Sequence, residues 1–243
     1  MDPQGVSGPR APASRLSIVM PTLNEEAAIE AAIAALAPFR ERGCEVVVAD
    51  GGSQDNTLSL ALRACDLVVR APRGRGAQMN AGAGAARGDA LLFLHVDTRL
   101  PENADQLVLD GLSHGGREWG RFDVAIEGRS RLLPIIAAMM NWRSRLTGIA
   151  TGDQAMFIRA DAFHAVGGFQ DIALMEDIAM SAALKRRGPP LCLRARVATS
   201  GRRWDREGAL QTILLMWRLR AAYCLGADPD KLAARYGLKP RDD

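Results

Sequence analysis

The sequence predicts an α/β fold, a doubly wound and mostly parallel sheet flanked by helices. Three observations predict it. Short apolar runs without polar alternation recur at 16–21, 46–50, 66–72 and 90–97, as expected of strands covered on both faces. Helical patterns separate them, so the first hundred residues read β-α-β-α-β-α-β. Polar residues follow the strand ends, where ligands of open α/β sheets collect.

"LSIVMP" (16–21) is the first strand, stopped by Pro21. Asn24 is a candidate cap for the helical run "EEAAIEAAIAALA" (25–37), which sets Ile29, Ile33 and Leu36 on one face. The second strand delivers Asp50 to its carboxyl end, and Gly51 and Gly52 let the chain turn sharply there. Ser53 or Asp55 then caps the helix in "NTLSLALRA" (56–64). Asp50 alone is open between a turn-forming and a ligand-binding carboxylate, because Asp-Gly turns are common. "DLVVRAP" (66–72) is the third strand, "AQMNAGAGAAR" (77–87) a small-residue helix, and "ALLFLHVD" (90–97) the fourth strand.

Regularity falls away after Pro101. A strand is expected over 118–128 and an apolar helical stretch over 130–148, interrupted at Pro134. There follow a strand at 154–160, a short helix ending at Gly167 and Gly168, and a helix over 175–188 with acidic residues at its start and basic ones in its last turn. A late strand at 189–198 precedes helices near 207–225 and 229–236. Both halves of the chain are expected to share one sheet.

A length of 243 residues and 48% hydrophobic content support one large domain and exclude global disorder. Residues 1–14, rich in Pro, Gly and Ser, read as a flexible tail, and 15–243 as a single domain. A net charge of +3 gives no ground for nucleic-acid binding. Cys44, Cys65, Cys192 and Cys224 are scattered, which argues against a structural zinc or a disulfide framework and fits a reduced cytoplasmic setting. The amino terminus lacks the apolar core of a signal peptide, and no run approaches the roughly 18 apolar residues of a membrane span.

Thr22, Asn24 and Glu25 follow the first strand, Asp50 the second, and His95 and Asp97 the fourth, so these groups should meet in one cleft. Taken with "SIVMPTLNEE", "VVVADGGSQDNT", "GRGAQMNAGAGAARGD", "LLFLHVDTRLP", "GDQAMFIRADAFHAVGGF" and "MEDIAM", in that order, the sequence resembles the family 2 glycosyltransferases over about residues 15–205. The resemblance implies a GT-A fold, a Rossmann-like sheet with C-terminal helices. It further implies a nucleotide-binding half at about 15–100, an acceptor and catalytic half at about 101–205, and C-terminal helices at about 206–243.

In that family Pro21, Thr22, Asn24 and Glu25 would hold the base and ribose of a sugar nucleotide, and Asp50 would accept a hydrogen bond from the base. Arg75 would lie on the nucleotide side at a helix start, though loop arginines are also often just solvated. The family's Asp-x-Asp is here His95-Val96-Asp97; Asp97 keeps the place that holds a divalent ion, magnesium or manganese, on the diphosphate. His95 then donates to a ribose hydroxyl or to a backbone carbonyl. Asp177, with Glu176 as its alternate, matches the acidic pair that supplies the catalytic base, and both also suit a helix's first turn for reasons of its dipole. Asp153 falls in the acceptor region, or closes a turn. "GRRW" resembles an Arg-Arg-Trp element of the processive branch but lacks its glutamine; Arg202 and Arg203 would clamp diphosphate and Trp204 would platform a sugar.

The implied activity is metal-dependent, inverting transfer from a nucleotide sugar to a hydroxyl acceptor, whether saccharide, lipid-linked or small molecule. A nucleotidyltransferase is the alternative enzyme, but "MPTLNEE" carries no basic glycine loop. A catalytically silent sugar-nucleotide-binding protein is the alternative of another class. "RGRGAQMNAGAGAARG" fails as a dinucleotide loop, since Met79 stands where the third glycine belongs. Leu210, Ile213, Leu214, Trp217 and Leu219, beside Arg218 and Arg220, form a stripe open to three readings: core, a homodimer contact, or peripheral contact with a membrane.

Overall fold

Successive residues of a strand face opposite ways, and in the first strands both ways are apolar. Ile18, Met20, Val46, Val48 and Leu92 join one buried cluster, while Val19, Val47, Leu91 and Phe93 join another. A sheet with two apolar faces needs a helical layer on each. The computed structural model describes residues 16–114 and 116–237 and has that form. The expected tail at 1–14 lies outside the described residues.

The strands are β1 (Leu16–Thr22), β2 (Glu45–Asp50), β3 (Leu67–Arg70), β4 (Ala90–Phe93), β5 (Thr98–Arg99), β6 (Trp119–Glu127), β7 (Phe157–Arg159) and β8 (Leu191–Ser200). They form one sheet in the order β3-β2-β1-β4-β7-β6-β8-β5. β3, β2, β1 and β4 are mutually parallel, with Thr22 in register with Asp50 and Asp50 with Arg70, so their carboxyl ends are aligned. β7 turns antiparallel to both neighbours, β8 runs parallel to β6, and β5 closes the far edge antiparallel to β8. The two halves of the chain thus share one sheet, as expected.

α1 (Ile29–Ala34), α2 (Ala37–Glu41), α3 (Thr57–Ala64), α5 (Ala104–His114) and α6 (Leu133–Thr147) cover one face; α4 (Arg75–Ala85), α7 (Ala160–Ala165) and α8 (Glu176–Lys185) cover the other. α9 (Arg202–Glu207) leads into α10 (Ala209–Cys224), and α11 (Pro229–Tyr236) packs with α10 on the Leu174–Met175 loop through Leu219 and Leu232. α4 lies close on the sheet because Gly82 has no side chain; a Cβ there would stand 2.4 Å from Val19 Cγ1.

Several elements differ from the sequence reading. The run at 25–37 breaks into α1 and α2 because Pro38 opens a new helix. Asn24 does not cap α1, whose preceding residue is Ala28; Asn24 is left-handed at φ 54°. β4 ends at Phe93, four residues early, and frees His95 and Asp97 into a turn. α5 lies where no helix was expected. Pro134 begins α6 rather than interrupting it. The α10 stripe divides: Leu219 is buried, whereas Leu210, Leu214 and Trp217 are exposed. All four cysteines are free. Among the described residues no helix is long and apolar enough to cross a membrane.

Candidate active site

The loops after β1 and β2 are tied to one another. Ser53 Oγ accepts from the Asn24 amide at 2.9 Å, and Asn24 Oδ1 accepts from the Gln54 amide at 2.8 Å. Thr57 Oγ1 accepts from the Glu25 amide at 2.7 Å, and Asp55 holds Thr57 in turn. Gln78, buried on α4, donates to the Thr22 and Ala49 carbonyls at 2.6 and 3.0 Å and so pins both strand ends. Asp50 completes this frame. Its carboxylate accepts from the Gly52 and Ser53 amides and from Ser53 Oγ, and it is 2% exposed. Asp50 is therefore a buried turn residue, and neither it nor Asn24, which is exposed, lines the cavity over the strand ends.

A cavity of about 630 Å³ opens over the carboxyl ends of β1 and β4, within the usual size of a small-ligand site. Pro21, Thr22 and Glu25 line it from β1, His95 and Asp97 from the turn after β4, and Asp153 from a short 3-10 turn at Gly152–Gln154. Arg73 and Arg75 enter from the start of α4, where Gly74 adopts φ 138°. Arg202, Arg203, Trp204 and Arg206 of α9 close the opposite side. Five arginines thus face three carboxylates, an excess of positive charge suited to a diphosphate. Of the arginines, two are hydrogen-bonded: Arg203 bonds Glu207 and the Tyr236 carbonyl and stacks on the Tyr236 ring at 3.7 Å, and Arg206 bonds Glu207 at 3.0 Å. The Arg202 guanidinium has no hydrogen bond among the described residues.

The acidic groups occupy distinct settings. Burial and then the neighbouring Asp97 raise the Glu25 carboxyl, with Arg202 opposing. Enclosure alone would raise Asp153, but His95, Arg75 and Arg220 hold it below the ordinary carboxylate value; His95 Nδ1 lies 3.7 Å from its Oδ1. Gly152 makes that approach possible, since a Cβ there would stand 2.5 Å from the His95 ring. Glu176 is buried, raised by that burial and by Asp177, and lies 4.0 Å from Arg75. Asp177 accepts from the Gly152 amide at 2.9 Å and the Ile178 amide at 2.7 Å. The acidic pair therefore does not line the cavity; Glu176 reaches it through Arg75 and Asp177 through the Gly152 turn.

Among the described residues three non-glycine residues have left-handed backbone, Asn24, Ala155 and Met175, and all flank this site. Such strain persists only where surroundings enforce it, and it concentrates at functional sites. Among the described residues no group of three or more His, Cys, Asp or Glu is arranged to hold a metal ion. Asp97 is exposed to the cavity without a side-chain hydrogen bond, and its charge bears on Glu25. Hard carboxylate oxygens of this kind fit a cation that takes its other ligands from phosphate and water.

The sequence reading missed several wall residues. Arg206, Gln78 and Tyr236 carry no motif, and Tyr236 reaches the cavity only because α11 folds back on α9. The Arg73 and Arg75 signal was present in the glycine-spaced "RGRG".

Known proteins share parts of this arrangement. A dolichyl-phosphate beta-glucosyltransferase of Drosophila melanogaster is 31% identical over 143 residues, which is 50% of this chain and 43% of that protein. The Mus musculus protein of the same description is 29% identical over 111 residues, 38% of this chain and 34% of that one. The matches thus span less than half the length of either relative. In solved structures, mannosyltransferase PcManGT from Pyrobaculum calidifontis, in complex with GDP-Man and Mn2+, superposes with TM-score 0.62 at 19% identity, over 93% of this chain and 70% of that one. Glucosyl-3-phosphoglycerate synthase from Mycobacterium tuberculosis, with Mn2+, UDP and glucosyl-3-phosphoglycerate, gives 0.62 at 20%, over 93% and 81%. These share the fold, a GT-A sheet with helices at the carboxyl terminus. The sequence model for "Glycosyl transferase family 2" matches residues 17–167, from β1 through the tied loops, Arg75, Asp97 and Asp153 to the turn after α7, and the chain belongs to that family.

Proposed function

We propose that the protein transfers a glycosyl group from a nucleoside-diphosphate sugar to an acceptor oxygen, with inversion at the anomeric carbon and dependence on a divalent cation. The carrying observation is the excess of arginine around Asp97 in a cavity at the ends of β1 and β4. In this reading Pro21, Thr22, Asn24, Glu25, His95 and Asp50 form and support the nucleoside pocket. Arg75, Arg202 and Arg203 hold the diphosphate, and Asp97 holds magnesium or manganese. When bound, the cation supplies charge to stabilise the departing diphosphate.

Asp177 is assigned as the base, with Glu176 as its alternate. From a hydroxyl acceptor it would take the proton as that oxygen attacks from the face opposite the leaving diphosphate; an ionised phosphate acceptor would need orientation in place of proton removal. Asp153 and Trp204 would hold the acceptor. A second reading exchanges the aspartates: Asp153 faces the cavity directly, whereas both Asp177 oxygens already accept backbone amides. The acceptor class follows no single residue. The relatives named for dolichyl phosphate favour a lipid-linked phosphate, and a saccharide or small hydroxyl compound is the alternative.

Nucleoside-diphosphate release from a panel of nucleotide sugars, with and without manganese, tests the proposal. Asp177→Asn is expected to lower turnover by about a hundredfold or more while leaving nucleotide binding intact. The same loss confined to Asp153→Asn would transfer the role to Asp153. No cation-stimulated release from any donor, with no thermal shift by any nucleoside diphosphate, would overturn the whole reading.

A further inference from the structure

Two helices expose apolar stripes outside the cavity, α10 lining the cavity with Thr212 and Met216 on another of its faces. Leu132, just before α6, and Ile135, Met139, Trp142 and Leu146 on it are exposed at spacings of three and four residues, one line along the helix. On α10, Leu210, Leu214 and Trp217 repeat the pattern, and Leu225 continues it past the end. The two tryptophans are 66% and 57% exposed, an unusual state for side chains of that size.

The stripes belong to one face. Asp205 of α9 accepts from the Arg129 and Ser130 amides just before α6, and α9 leads straight into α10. Farther along, Arg143 of α6 is pushed down to about 10, first by burial and then by Arg220 of α10, so these side chains are close. The helices are therefore neighbours at both points. At about 100° per residue, Arg143 lies on one flank of the α6 stripe and Arg220 on one flank of the α10 stripe. Because these flanks meet, the stripes stand on either side of an arginine seam, which Asp177 and Asp153 offset from the protein side. Nε and Nη2 of Arg143 are buried there without a hydrogen-bond partner.

Charge selects the occupant. α6 and α10 carry no Asp or Glu; Arg145 is paired with Asp123, and Arg143 and Arg220 face Asp177 and Asp153, but Arg131, just before α6, and Arg218 of α10 stand exposed beside the stripes. A two-fold pairing of the stripes with a second copy would bring the exposed arginines of both copies together, with no acid on either helix to offset them. An anionic lipid surface complements them, and exposed tryptophans beside arginines suit a bilayer interface. We propose that the α6 and α10 stripes form a docking face for an anionic phospholipid bilayer, with headgroup phosphates drawn to the exposed Arg131 and Arg218 beside them. Lacking the length and apolarity to cross, the helices lie in the interface plane.

The test is sedimentation of the full chain with phosphatidylcholine vesicles and with mixed phosphatidylcholine and phosphatidylglycerol vesicles, read also by tryptophan emission. Pelleting should favour the mixed vesicles, fall with salt, and accompany a blue shift. Combining Trp142→Ser with Trp217→Ser should lower partitioning by about tenfold or more. Arg131→Gln with Arg218→Gln should remove the preference for phosphatidylglycerol at an unchanged melting temperature. No pelleting of the folded wild type with mixed vesicles would overturn the proposal. So would a dimer, seen by sedimentation equilibrium, that the tryptophan substitutions dissociate. Nucleoside-diphosphate thermal shifts on the same samples report on the donor site separately, since docking does not depend on sugar transfer.

Discussion

The two ends of the sheet handle charge differently. Around β3-β2-β1-β4 the polar groups are consumed in holding backbone: Asp50, Asp55, Asn24 and Gln78 each bond amides or carbonyls of the adjoining loops. Around β7-β6-β8 the ions face one another inside the protein. Arg121 is fully buried, bonds Asp123 closely, and shares it with Arg145 at 2.7 Å. Asn141 then fixes the Val124 backbone and meets Gln154, which caps the Gly152 turn. The first region is a rigid frame made from neutral or fully bonded groups. The second carries a chain of side chains from a buried ion pair to the cavity wall, and its stability rests on charge balance.

The largest expected effect breaks that balance. Asp123→Asn leaves Arg121 buried without its counter-ion and should cost about 3–5 kcal/mol, a fall of roughly 10 °C in melting temperature. Calorimetry showing under about 1 kcal/mol of loss would mean that the second region is no more dependent on charge than the first. A smaller effect sharpens the link to the cavity. Gly152→Ala sets a methyl against the His95 ring and should lower turnover by about tenfold with little change in stability; unchanged turnover would detach the turn from the chemistry.

The smallest effect concerns the frame. Burial and then Asp105 push the Cys44 thiol from 9.0 up to about 11. With the folded value above the unfolded one, its contribution is whole below pH 9 and is lost as pH rises through 11. Wild type should therefore lose stability across that window relative to Cys44→Ala, by at most about 1.4 kcal/mol per pH unit. Parallel pH curves would show that Cys44 is not enclosed.

The frame was legible in the sequence because parallel strands covered on both faces are written as continuous apolar runs. Strand ends marked Glu25, His95 and Asp97 as neighbours, and the structure brings them to one cavity. Asp50 shows the limit: sequence fixes its place at a strand end but not the direction of its carboxylate, which the turn claims. The second region was harder to read. α5 carries Ala104, Val108 and Leu112 at helical spacing, yet Gly111 interrupts its propensity and only its seat on the sheet rescues it. The arginine seam joins residues 77 positions apart, on helices whose adjacency no local pattern encodes.

α4 has a consequence of its own. Three of its eleven residues are glycine, each costing about 1 kcal/mol against alanine, so the segment has little tendency to be helical by itself. What coils it is outside help: Gln78 gripping the β1 and β2 ends, and Asn80 exchanging bonds with the Phe169 backbone at 2.8 Å. It behaves as a keystone, intact only while both flanks press upon it, and parting the frame from the Phe169 loop would melt it and release Arg75 from its post.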